Sequence, residues 1–96
     1  MTYEEATTRP GLTLVEFFAS WCPHCRRMMP IVEEIKEIVD GKVAVCQYDI
    51  DEFPAEAEAA GAESVPTFII YNNGREVWRK VGEMPGDEII EALQTA

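Results

Sequence analysis

Leu12-Thr13-Leu14-Val15-Glu16-Phe17-Phe18-Ala19-Ser20-Trp21-Cys22-Pro23-His24-Cys25-Arg26 is the stretch on which the reading of this chain turns. Leu12–Ala19 is a short, nearly continuous apolar run rich in branched and aromatic residues, as expected of a strand covered on both faces. After it the period changes. From Pro23 to about Val39 apolar residues fall at 28, 29, 31, 32, 35, 38 and 39, a helical stripe, with Pro30 inside it predicting a kink. Cys22 and Cys25 therefore sit where a buried strand hands over to a helix. The unpaired N–H groups and partial positive charge of a helix N-terminus favour a thiolate, the form of cysteine that attacks disulfides. Cys25, one turn deeper, is placed to meet Cys22. The expectation is an exposed nucleophile at Cys22 and a buried resolving thiol at Cys25. An imidazolium at His24 would add positive charge beside Cys22.

The rest of the chain reads outward from this junction. Thr2–Thr8 is predicted to be a short helix capped by Thr2 and broken by Arg9-Pro10-Gly11. Lys42–Ile50 reads as a second strand and Pro54–Ala60 as a helix that Gly61 ends. Val65–Tyr71 reads as a third strand, followed by a hairpin turn at Asn72-Asn73-Gly74 and a return strand Glu76–Val81. Pro85–Ala96 is the last helix, with Ile89, Ile90 and Leu93 inward. The order α-β-α-β-α-β-β-α implies an α/β fold with a mixed sheet between helices. Phe17, Phe18, Phe68 and Ile70 are expected in the core, and Met28 and Met29 in the core or lining a groove.

Composition narrows the function. The 96 residues make one domain, 1–96, and are 47% apolar, enough to build a single core. Eighteen acidic against eight basic residues give a net charge of −10, which argues against non-specific binding to nucleic acid. The apolar runs are too short to span a membrane. Residues 1–11 lack a basic start and an apolar stretch, so the expected location is cytoplasmic. Three cysteines cannot make a disulfide framework. A zinc site would need four ligands, and only His24 and Cys46 remain beside the pair, so no metal is expected. Cys46 reads as a small buried hydrophobe on the strand face opposite to Gln47.

Several stretches together resemble the thioredoxin family: Leu14–Cys25 with its Trp21-Cys22-x-x-Cys25, then Ser64-Val65-Pro66-Thr67-Phe68, then Asn73-Gly74, then Lys80-Val81-Gly82. They run from about Leu12 to the C-terminus in the family's order. The resemblance implies a thioredoxin fold and a thiol–disulfide oxidoreductase. The family's usual first strand has no counterpart before Leu12, which leaves a central four-stranded sheet. By the same resemblance Pro66 is a cis-proline facing the cysteines, and Val65 offers its backbone to an extended substrate. Trp21 flanks the site, and Gly82 leaves room for substrate. The implied partners are disulfide-containing proteins and a reductase such as thioredoxin reductase. No cofactor is expected beyond the redox-active disulfide Cys22–Cys25, and the default state is a monomer.

Three positions depart from the family pattern. Glu16 stands where thioredoxins usually carry Asp. A lone carboxylate in an apolar strand is expensive to ionise, so Glu16 is expected to have a raised pKa and to shuttle a proton for Cys25. Gln47 stands where the family often has Lys, and leaves Glu16 without a charged partner. Pro23-His24 replaces the common Gly-Pro and resembles the bacterial periplasmic disulfide oxidases. Those lie near about −120 mV against about −270 mV for thioredoxin. This chain is too short for the inserted helical domain those oxidases carry, so a potential between the two is expected, with a reductase as the leading expectation. A more oxidising oxidase or isomerase is the alternative, or a module that uses the fold for partner binding or redox sensing. Arg26 and Arg27 either attract acidic substrates or form a solvated face.

Overall fold

The computed structural model describes residues 2–96. Helix α1 (Tyr3–Thr8) starts in a capping box: the Thr2 side chain accepts from the Glu5 N–H, and the Glu5 carboxylate accepts from the Thr2 N–H. Strand β1 (Leu12–Phe18) follows, then α2 (Pro23–Ile38), β2 (Val43–Asp49), α3 (Pro54–Ala60), β3 (Thr67–Asn72), β4 (Arg75–Val81) and α4 (Gly86–Thr95). The four strands form one mixed sheet in the order β2-β1-β3-β4. β1 runs parallel to β2 and antiparallel to β3, and β3 runs antiparallel to β4.

The sheet separates two cores because successive strand residues face opposite ways. On one face Leu14, Phe68 and Ile70 pack with Met28, Val32 and Ile35 of α2 and Ile89 and Leu93 of α4. On the other Val15, Phe17, Ile69 and Tyr48 pack with Ala57 of α3 and Tyr3 of α1. Tyr3, Phe17, Tyr48 and Phe53 extend this second core as a chain of ring contacts with centroids 5.2–5.8 Å apart.

Several sequence expectations shift in detail. α2 buries Cys25, Met28, Val32 and Ile35, and Val39 is buried just past its end, so the inner face is narrower than the apolar stripe; Met29 and Ile38 are exposed. α2 continues through Pro30. β3 begins at Thr67 rather than Val65, since Pro66 has no N–H to give a ladder. The hairpin turn is Asn73-Gly74 alone, both at positive φ (54° and 81°), and Asn72 pairs with Arg75. A bulge in β4 sets Ile70 against Trp78 but Tyr71 against Glu76. Phe18 and Cys46 are half-buried rather than core. Phe18 sits at the end of β1 beside the cysteines, and Cys46 lies on an edge strand that no further strand covers.

Candidate active site

The site lies at the C-terminal end of β1. The chain leaves the sheet through Ala19, Ser20 and Trp21, and the Cys22 N–H donates back to Ala19 O at 3.2 Å. Cys22 is the N-cap of α2 in extended backbone (φ −85°, ψ 119°), which the following Pro23 enforces; Pro23 in turn fits the first helical turn. The free N–H groups of the first turn of α2 therefore lie on the Cys22 side of the helix, with no capping hydrogen bond to its sulfur.

Both cysteines are free thiols, and both are buried. Cys22 is 5% exposed and Cys25 2%. The expectation of an exposed Cys22 is thus corrected: with Cys25 and Ala19 it forms a small apolar cluster that Phe18, Ile50 and Val65 complete. What separates the two thiols is acidity. The Cys22 pKa is lowered, chiefly by the backbone N–H of Cys25, then by the Cys25 thiol, the N–H of His24 and the charge of Arg26, against the opposing effect of burial. Cys25 is pushed up to about 12, first by burial and then by the negative charge that Cys22 and Glu16 place nearby.

Glu16 is 3% exposed and raised in pKa by burial. It pairs in register with Gln47, whose amide donates to the Glu16 carboxylate at 2.9 Å. That bond, and the more distant charge of Lys36, pull the pKa the other way without overcoming burial.

The remaining residues come from three loops. The Val65–Pro66 peptide bond is cis, and the Cys22 thiol donates to Val65 O at 3.8 Å. Gly82 (φ 101°) donates its N–H to Pro66 O at 2.9 Å, joining the loop after β4 to the proline loop. Trp21 is 60% exposed, and its indole N–H donates to Asp51 at 2.9 Å. The His24 ring does not stand free beside Cys22: its Nδ1 lies 2.5 Å from the Glu83 carboxylate. Arg27 grips the same carboxylate through two N–H groups, each at 2.8 Å. Sequence reading misses Glu83, Asp51 and Lys36, and nothing in the spacing of these three signals their contacts. Among the described residues no group of three or more His, Cys, Asp or Glu could hold a metal, and no helix is long and apolar enough to cross a membrane.

A dithiol of split acidity at a helix N-terminus, facing a proline loop at the end of a mixed sheet, defines a thiol–disulfide exchange site. The thioredoxin family model matches residues 2–95. The chain is 39% identical to a thioredoxin of Chlamydia caviae over 83 residues, 86% of this chain and 80% of that protein. It is 34% identical to a thioredoxin of Staphylococcus saprophyticus over 84 residues, 88% of this chain and 81% of the relative. Against the chloroplastic thioredoxin Y of rice it is 35% identical across 86% of its own length, and spans about half (49%) of that longer protein. Among solved structures, a mutant thioredoxin from Halobacterium salinarum superposes with a TM-score of 0.86 at 30% identity, over 96% of this chain and 80% of that one. This chain belongs to the thioredoxin family. It is accordingly a protein thiol–disulfide oxidoreductase.

Proposed function

We propose that the chain reduces disulfides in other proteins through a two-step exchange. The Cys22 thiolate attacks one sulfur of the substrate disulfide, and the other leaves as a thiolate. Cys25 then gives its proton to the Glu16 carboxylate and attacks the Cys22 sulfur of the mixed disulfide. The second substrate thiolate departs, leaving Cys22–Cys25 oxidised. Two electrons pass from the dithiol to the substrate, and a reductase, of the thioredoxin reductase kind, restores the dithiol. The observation that carries this reading is the division of acidity between two adjacent thiols at the start of α2: Cys22 with its pKa lowered by the helix N–H groups, and Cys25 pushed up to about 12 and in need of a base to take its proton.

In this reading Trp21, the Val65 backbone, Pro66 and Gly82 form the substrate groove, an extended segment lying along Val65. The protein works as a cytoplasmic monomer without a bound cofactor. Pro23-His24 favours a second reading, a more oxidising catalyst. Reduction of insulin with dithiothreitol as electron source tests the first: turnover that Cys22→Ser abolishes supports it. Equilibration with glutathione decides direction. A potential near about −270 mV supports a reductase, and one above about −200 mV supports the oxidising reading.

A further inference from the structure

Glu83 lies outside the cysteine motif, yet its carboxylate contacts His24 between the two cysteines. It follows Gly82, whose N–H is bonded to Pro66 O, and its carboxylate reaches across to the first turns of α2. There it takes two N–H bonds from Arg27 at 2.8 Å and meets His24 Nδ1 at 2.5 Å; Arg27 and His24 stand 3.0 Å apart. The backbone of Gly82 thus ties the loop after β4 to the proline loop, and the side chain of the adjacent Glu83 ties it to the active-site helix. These groups are substantially exposed, so the cluster adds little to stability. Its two-pronged geometry, however, holds the charges in place. Arg27 is close enough to Cys22 for their charges to interact, and Arg26, bonded to Ser20 O, is the remaining cation beside the thiol. The other carboxylates around the site are committed elsewhere, Asp51 to Trp21 and Glu16 to Gln47.

We propose that Glu83 is a positioning residue of the redox site. It gathers His24 and Arg27 into one polar cluster and cancels the positive charge of Arg27 beside Cys22, which holds the pair more reducing than it would be without the carboxylate. The physical chain is short. Positive charge near Cys22 stabilises the thiolate and hence the reduced state, so an anion that cancels this charge lowers the reduction potential.

The role rests on the dithiol reading of Cys22 and Cys25, and the test separates the two. The wild-type chain, Glu83→Gln, Arg27→Gln and the double variant are equilibrated in glutathione buffers, with Trp21 fluorescence reporting the redox state. Expected is a shift toward the reduced form in Glu83→Gln of about tenfold, equivalent to about 30 mV. Arg27→Gln should shift the equilibrium the opposite way, and the double variant should return close to wild type. Each single change breaks the same contact, so a merely structural clamp would move both singles in one direction. Shifts of one sign, or no shift in either, would overturn the proposal. A wild type that never forms a disulfide in these buffers removes the dithiol reading, and the role of Glu83 falls with it. A wild type that equilibrates normally while the variants fail to diverge removes only the role of Glu83.

Discussion

Gln47 donates its side-chain amide to the carboxylate of Glu16 at 2.9 Å, directly across the parallel pair β1–β2. A neutral amide satisfies the acid's oxygen without offering it a cation, so burial wins and the pKa rises. Folding then takes up a proton at Glu16. Its contribution to stability is complete below the ordinary carboxylate range and is lost as pH rises through the raised value. Glu16→Gln should match wild type in thermal stability near about pH 4 and gain on it steadily toward about pH 8. A constant difference at all pH values would mean that Glu16 does not titrate between the two states.

The same substitution removes the base proposed to serve Cys25. Resolution of the mixed disulfide should slow on the order of 10²-fold, read by stopped-flow with a fluorescent disulfide peptide, while the initial attack by Cys22 keeps its rate. An unchanged resolution step would assign that proton to water instead.

The two active-site thiols should be distinguishable by alkylation in a Cys46→Ser background. Cys22 should react with a midpoint below the ordinary thiol value of about 8.5, and Cys25 should stay protected beyond about pH 10, in keeping with its value of about 12. Cys25→Ser should trap substrate as a stable mixed disulfide on Cys22. Equal reactivity of the two thiols would contradict the assignment of nucleophile and resolving group.

Two glycines at positive φ should respond differently to alanine. At Gly74 a Cβ would come within 3.3 Å of the Thr8 backbone, whereas at Gly82 it would meet nothing within 4 Å. Both substitutions carry backbone strain of about 1–2 kcal/mol. Urea denaturation should find Gly74→Ala the more damaging to stability. Insulin reduction should find Gly82→Ala the more damaging to activity if it lines the proposed substrate groove.

Trp21 is 60% exposed, so its removal leaves no cavity. Trp21→Ala should change stability by no more than about 0.5 kcal/mol and raise the KM for protein substrates several-fold. A loss of stability with KM unchanged would make the indole and its bond to Asp51 a structural tie.

What can be read in advance follows from how local the signal is. The order of elements, the position of the cysteines at a strand–helix junction and the Asn73-Gly74 turn all depend on neighbours within a few residues. The facing of Glu16 and Gln47 follows from strand alternation and the resemblance together, and Cys46 turns to the other face for the same reason. The burial of Cys22 escapes a sequence reading because its cover, Ile50 and Val65, comes from two distant loops. The seat of His24 on Glu83 is invisible for a similar reason: it depends on where the loop after β4 lands. The α2 stripe reads as too broad because apolar spacing does not tell which of two adjoining rows meets the sheet.

The placement of β1 has a consequence for how the chain is made. β1 is laid down before both of its neighbours: Leu12 pairs with Val43 on one side and with Asn72 on the other. A chain growing from its N-terminus cannot complete the middle of its sheet until β3 has emerged, because such distant pairings wait for the loops between them to close. Until then Cys22 and Cys25 lack the Val65 loop and the finished sheet that bury them. The nascent chain carries two unguarded thiols, and selectivity in their chemistry arrives only once β3 and the loop before it are in place.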